Sequence, residues 1–549
     1  MPKHAKICLI LIFILAFSVR AVDLGTHFVH YDDATMATDI LKAQQADFPQ
    51  KLLSAVYDTT RASYNDKQKV LVRWIHENNK PLFYTGMFLA RFLIIPLNST
   101  NAPAQFFLTS LLLNENQSYR AILFLSRLPS FLFSLVTIFL IYLILHKRTS
   151  TTGLLLGLTI AALSLSSIIY AKQSYTYAIG CCAAAGLLLL FQYSQQKDFF
   201  QKHWILSGLL TSFFVYTHYQ LAFFLPAYYL ANTWFKRQDK AEITKLFLSG
   251  SLNFLLCLPA LYLMLSMNQA GLAYYYLGAN REFLFLPNNL IYPFIFFLKN
   301  SFLVITHTLA PVTADKIFYW LFGGIFSLSF IYGLKKIYRQ PESIFIILSL
   351  LTYLGLVVLQ KIALSPSRQT LVYLPLFIYV IANGLPELNK KYLYGILILY
   401  LGIFFLFFPS FIQERQDKIQ ETKLNKILSQ YQPDLIIGYD FSTQPALLPI
   451  IRKNYNYLDS DNLFENKPLT DYKTVLFFST RSPLEKYHFQ NSQESWNNRQ
   501  TGNKSWTQNY NDYKIIHEKI LTSNIGLEPN NWVHLGKNEL FLYILTLWQ

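Results

Sequence analysis

AILFLSRLPSFLFSLVTIFLIYLILHKR (residues 121–148) decides the class of this chain. It holds an apolar run longer than the roughly 20 residues that a helix needs to cross the hydrocarbon of a bilayer. One arginine, Arg127, interrupts the run, and the basic pair Lys147-Arg148 closes it. Basic residues on short loops between apolar runs are the footprint of the positive-inside rule.

The same alternation repeats outward from this segment. Further spans are expected near 152–170, 174–194, 204–218, 220–235, 246–267, 317–334, 342–360, 370–385 and 392–411. Residues 7–19, preceded by Lys3 and Lys6, form a first anchor. No A-x-A cleavage pattern follows them, and Arg20 comes next, so the anchor reads as uncleaved. Cations fall between alternate spans: Lys197 and Lys202; Lys236, Arg237, Lys240 and Lys245; Lys335, Lys336 and Arg339; Lys390 and Lys391. About eleven spans with the N-terminus inside put all of these loops in the cytoplasm. A span over 289–310 would flip the later ones outside, so that segment is expected as an external interfacial helix.

Composition agrees. Of 549 residues, 53% are hydrophobic and only 14% charged, against about 25% charged in ordinary soluble domains. The net charge of +16 sits largely in the short loops. No basic stripe with interleaved aromatics is present, which argues against nucleic acid as a partner. The four cysteines, Cys8, Cys181, Cys182 and Cys257, lie inside apolar runs, so the exported regions have no disulfide framework.

The expected class is therefore a polytopic α-helical membrane protein, with a membrane module over 1–411 and large external loops at 23–120 and 268–316. From about 412 the chain turns polar. PDLIIGYD (433–440) and KTVLFFST (473–480) are short apolar runs bounded by turn residues, as in buried strands. With helices expected over 413–431 and 443–454 and a loop over 489–511, residues 412–549 read as a soluble α/β domain. Parity places it outside.

Polar chemistry should gather in the external loops. HFVHYDDATMATDI (27–40) puts two carboxylates, Asp32 and Asp33, directly after the first span. One could serve as a base and the other as a helix N-cap; the blander alternative is a cap plus a solvated charge. NNKPLFYTGMF (78–88) sets Lys80 before a proline at a helix start, a phosphate contact or a snorkelling lysine. Arg127 lies about two turns inside its span, where a charge needs a partner or a water-filled cavity. VYTHYQ (215–220) puts His218 at an external helix end, and QKIALSPSRQTLVYLP (360–375) puts Lys361 and Arg368 at the mouths of two late spans. A membrane-embedded phosphate wants such cations.

The order of these segments resembles the GT-C superfamily of polyprenyl-phosphate-sugar-dependent glycosyltransferases. It is most similar to the bacterial glycosyltransferase family 39, protein mannosyltransferase-like group, with aminoarabinose transferases as cousins. The resemblance covers about residues 7–411. It rests on HYDDATMA after the first span, KPL where relatives have KPPL, SRLPSFLFSLVTIFL, THY at a helix end and the late SRQTLVYLP. It implies transfer of a sugar from a polyprenyl-phosphate donor to a glycan, lipid or protein acceptor at the external face of a bacterial inner or plasma membrane, with inversion. Asp32 or Asp33 would deprotonate the acceptor, help typically worth about 10²–10⁴-fold. Lys80 and Arg368 would neutralise the leaving phosphate, with Lys361 a further candidate. In the aminoarabinose cousins a divalent cation can sit beside that phosphate; Asn79 replaces the acid that precedes the lysine there, which argues against a metal site.

Two other readings stand beside this one. A polymerase or ligase of cell-surface glycans also uses lipid carriers. A transporter or flippase expects mid-span charges and broken helices in paired halves; the sequence has few of the first and no internal repeat.

Overall fold

A computed structural model describes residues 2–25, 36–37, 40–41, 73, 76–78, 103–114, 117–277, 292–312, 315–359, 362–387, 390–414, 426, 428–438, 457–459, 474–479, 532–534 and 539–546. The chain divides into two compact units. One comprises Met1–Val22, Pro96–Leu108 and Arg127–Pro409; the other comprises Asp23–Ile95, Thr109–Ser126 and Ser410–Gln549.

The helices are α1 (Lys3–Ala21), α2 (Pro103–Ser110), α3 (Tyr119–His146), α4 (Thr151–Leu163), α5 (Leu165–Ala171), α6 (Thr176–Ser194), α7 (Phe199–Thr217), α8 (Phe224–Lys236), α9 (Lys240–Leu277), α10 (Tyr292–Leu309), α11 (Lys316–Ile337), α12 (Pro341–Val358), α13 (Leu374–Gly384) and α14 (Lys390–Glu414). Among the described residues seven are long and apolar enough to cross a membrane: α1, α3, α6, the first part of α9, α11, α12 and α14. The bent pair α4–α5 makes an eighth. Large apolar side chains face outward on these helices, with Ile398 at 70% and Leu406 at 66% exposure. Water would penalise such a surface and lipid does not.

The expected count of about eleven spans is therefore reduced to seven or eight full ones. The difference lies in α7, α8 and α13. The first is kinked at His203, with polar Gln201 and Lys202 just before the kink. The other two have 13 and 11 residues, too short to span alone. Single 3-10 segments, Tyr219–Phe223 and Arg368–Tyr373, lead into them.

Helix α13 is the axis of the first unit. LPLFIYVIANG is apolar nearly all round, and every one of its residues is buried. A helix of that kind belongs in the centre of a bundle. Small residues let its neighbours approach closely. A side chain at Gly333 would run into the Val380 carbonyl, and one at Gly384 into the Ser329 carbonyl.

Contacts within this unit sort its connections into two ends. At one end Arg148 Nε lies 2.9 Å from Glu342 Oε1. There too Lys236 Nζ donates to the Gln196 carbonyl at 2.7 Å, and the Glu242 carboxylate accepts from Phe200 N at 3.1 Å. Tyr379 Oη donates to Gln340 at 2.6 Å on the same side. These are the basic connections, and they form one end. At the other, Ser164 Oγ donates to the Thr308 carbonyl at 2.6 Å and Leu165 N to the Ala310 carbonyl at 3.1 Å. Tyr353 Oη there reaches the Ala363 carbonyl at 3.0 Å. Among the described residues this second, polar end carries fewer cations.

Helix α10 is not among the seven, and several of its contacts lie at the polar end. Phe302 stacks on Trp320 at 5.2 Å, Tyr319 Oη donates to the Leu303 carbonyl at 3.3 Å, and Ser166 Oγ donates to the His307 carbonyl at 2.5 Å. All three partners lie in α5 or in the first turn of α11.

The second unit holds a five-stranded sheet in the order β2-β1-β3-β5-β4, with β1 (Leu435–Gly438), β2 (Tyr457–Asp459), β3 (Thr474–Ser479), β4 (Trp532–His534) and β5 (Glu539–Thr546). β1 runs parallel to both β2 and β3, with Ile436 opposite Tyr457 and Leu476. β5 runs antiparallel to β3 and β4. Strands β1 and β3 fall in the two apolar runs read as strands; β2, β4 and β5 were not foreseen. Parallel pairs need long crossovers, and those between β1, β2 and β3 lie outside the described residues. So do the helix expected over 443–454 and the loop expected over 489–511; the described strands form one mixed sheet.

Candidate functional site

Local sequence explains the framework of the polar end. The span over 151–171 breaks at Ser164, with a bend of 51° between α4 and α5. A break strands the last carbonyls of the preceding helix. Arg20 takes them. Its Nη1 donates to the Ala162 carbonyl at 2.7 Å and its Nη2 to the Ala161 carbonyl at 3.3 Å. The same guanidinium donates to Ser134 Oγ at 2.7 Å, Ser167 Oγ at 2.9 Å and the Ala16 carbonyl at 3.2 Å. A fully buried cation thus meets the negative end of a helix and uses its donor set on neutral oxygens. Ser164 Oγ also accepts from Ser167 N at 3.3 Å and starts α5. Arg20 is a clip that fixes the first helix to the broken one.

The next layer is aromatic. Tyr175 and Tyr177 stand at the entry to α6, their rings stacked at 4.9 Å and 21°. Arg368 begins the 3-10 segment before α13, and its guanidinium carbon lies 5.2 Å and 5.6 Å from those two rings. This is cation–π geometry. Tyr177 also meets the His218 ring at 5.4 Å. His218 caps α7 in extended backbone and lies on bare helix at Gly180, where a Cβ would come within 2.7 Å of its ring. Ser130 Oγ, one turn from Arg127 on α3, donates to the Tyr175 carbonyl at 3.2 Å. Arg127 itself is fully buried.

So the structure brings Arg368 and His218 to one tyrosine, and sets Arg127 one turn from a contact with the other. Asp32, Asp33, Lys80 and Lys361 lie outside the described residues. Sequence reasoning missed Tyr175, Tyr177, Gly180 and the role of Arg20. AKQSYTYAIG (171–180) carries the available signal: two tyrosines flanking one residue, at the head of a helix whose first half is rich in small residues.

Among the described residues, several buried polar atoms at this end have no hydrogen-bond partner. They include His218 Nδ1, Tyr219 Oη, Gln220 Oε1, His307 Nε2, Ser367 Oγ and Tyr373 Oη. Buried polar groups are normally satisfied, and a set of exceptions on one group of connections calls for water or a ligand. Stacking occupies the face of a guanidinium, whose donors lie in its plane and match the geometry of a phosphate. The described residues thus place one cation against an aromatic wall, with neutral polar side chains around it. No group of three metal-ligating side chains occurs among the described residues.

Comparison with known proteins adds no assignment: no protein-family model matches the chain, and no curated protein is significantly similar to it.

Proposed function

We propose that this chain is a membrane glycosyltransferase of the GT-C kind. It moves a sugar from a polyprenyl-phosphate carrier to an acceptor at the extracytoplasmic face, with inversion. The observation that carries this reading is Arg368 held on Tyr175 and Tyr177 beside the buried His218, at the end of the bundle opposite the basic connections. By the positive-inside rule the basic end is cytoplasmic, which makes the polar end the external face of a bacterial inner or plasma membrane. Residues 412–549 then form a soluble extracytoplasmic α/β domain.

In this mechanism an acceptor hydroxyl attacks the anomeric carbon from the face opposite the phosphate. Asp32 or Asp33 takes the hydroxyl proton as the new C–O bond forms. The bond between the anomeric carbon and the phosphate oxygen breaks, and the electron pair leaves with the carrier phosphate. Arg368, with Lys80 and Lys361, neutralises the charge that develops there. Arg127 and His218 contribute to binding of the phosphate or sugar.

The broken span α4–α5 is the feature that a transporter reading would claim. Its freed carbonyls are taken by Arg20, so the break has a structural partner already, and the transferase reading is preferred.

The test supplies purified protein with polyprenyl-phosphate sugars and an acceptor extract, and measures free carrier phosphate. Release is expected from the wild type, with loss in Asp32→Asn or Asp33→Asn at unchanged insertion and folding. Wild-type release by both variants sinks the acid-pair mechanism. Movement of intact donor across a vesicle membrane without release favours the transporter.

A further inference from the structure

The basic end carries a feature that the proposed transfer does not use. Helices α8 and α9 leave a groove of about 550 Å³ between them, lined by Tyr229, Ile243, Phe247, Gly250, Phe254 and Leu255 among others. That is within the size of sites that hold ligands, typically about 300–1,000 Å³. The opposite face of α9 is committed to α7: Asn253 Nδ2 donates to Thr211 Oγ1 at 3.0 Å and Ser212 Oγ at 3.1 Å. The groove face is left open, with Phe247 at 75% exposure.

Length and charge select the occupant. From Ile243 to Leu255 a helix rises roughly 18 Å, close to one leaflet of a hydrocarbon core about 30 Å thick. The groove starts beside the α8–α9 turn, where Arg237 lies 4.5 Å over the ring of Trp234 and Lys240 is exposed. An exposed tryptophan with cations beside it marks the headgroup level of a membrane. The nearby carboxylates are turned inward. Asp239 caps α9 by accepting from Glu242 N at 3.0 Å. Glu242 accepts from Phe200 N at 3.1 Å and lies 3.8 Å from Lys236 Nζ. The mouth is left positive.

We infer that the α8–α9 groove binds one phospholipid with an anionic headgroup, its acyl chain along Gly250 and its phosphate at Arg237 and Lys240. The site lies at the other end of the bundle from the proposed transfer site and does not depend on it. Gly250 makes the groove testable. A Cβ there meets Tyr229 only at 3.5 Å, an ordinary contact, so Gly250→Ala leaves the groove open, whereas the larger side chain of Gly250→Leu occupies it.

Native mass spectrometry of the full chain, delipidated in detergent, tests this with phosphatidylglycerol and phosphatidylcholine at equal concentration. One phosphatidylglycerol is expected to be retained in preference by the wild type and by Gly250→Ala. Gly250→Leu should lose it. Arg237→Gln and Lys240→Gln should each weaken retention about fivefold, the worth of one cation at an anionic surface. The charge variants lie on the exposed turn and keep the test valid if Gly250→Leu misfolds. Equal retention of the two lipids overturns the assignment. So does equal phosphatidylglycerol retention by wild type and Gly250→Leu in folded protein. A dimer that Gly250→Leu disperses, or displacement of the phospholipid by a polyprenyl phosphate, gives the groove to another occupant and also overturns it.

Discussion

Arg20 and Arg368 are cations at the same end of the bundle with opposite environments. Arg20 is enclosed by five neutral acceptors on α1, α3, α4 and α5. Hydrogen bonds to a charged group contribute about 1.5–3 kcal/mol each, and stranded buried carbonyls cost more than the average bond. Arg20→Gln is therefore expected to lower stability by about 3 kcal/mol or more, read as a fall in the thermal midpoint of the detergent-solubilised protein. An unchanged midpoint would show that the clip is dispensable. Arg368 lies over two rings, so planarity matters as well as charge. Arg368→Lys should weaken donor binding roughly tenfold and Arg368→Ala further, while Tyr177→Phe retains binding; equal affinity in all three contradicts the aromatic-wall account. The sequence shows these residues unevenly. Arg368 and His218 are legible because a charge or imidazole beside an apolar run is conspicuous. Arg20 is not, because its partners are carbonyls freed by a break in ALSLSS (162–167), which contains neither proline nor glycine.

Among the elements, α13 shows why length and hydropathy alone undercount. A short helix can join both ends of a bundle when a 3-10 segment precedes it and the whole is wrapped by neighbours. The Arg368–Tyr373 segment supplies that lead, and the two small-residue contacts with α11 supply the packing. Gly333 and Gly324 on α11 give a matched pair. A side chain at Gly333 strikes the backbone of α13, whereas nothing lies within 4 Å of a Cβ at Gly324. Gly333→Leu should abolish monodisperse expression, and Gly324→Leu should change stability by no more than about 0.5 kcal/mol. Similar behaviour of the two by size-exclusion and thermal unfolding would remove α13 from the centre of the bundle. The long spans were legible as apolar runs closed by cations. Of the five strands, β1 and β3 were legible as apolar runs between turn residues. ELFLYILT (539–546) mixes Leu, Phe, Ile and Tyr in a pattern that period alone does not separate from a helix.

On the scale of the whole molecule, the sorting of connections into a basic and a polar end is what the charge pattern foretold, although the number of full spans came out lower. The alternation survives the change because α7, α8 and α13 still join the two ends. Single cysteines introduced into a cysteine-free background check the sidedness. Lys197→Cys and Arg339→Cys should react with an impermeant maleimide only after the membrane is opened, and Lys316→Cys should react in intact cells. The reverse pattern inverts the molecule and removes the proposed site from the external face. The acidic pair Asp32-Asp33 is read from its motif alone and lies outside the described residues.

The central claim is that the polar end holds a lipid-linked phosphate. Equilibrium binding of a polyprenyl-phosphate sugar to the full chain tests it most directly, with wild type, Arg368→Ala, Gly180→Val and the basic-end control Lys335→Ala side by side. The account predicts weaker binding, by roughly tenfold or more, in the two polar-end variants and wild-type affinity in the control. Equal affinity in all four proteins, or loss only in the control, would contradict it.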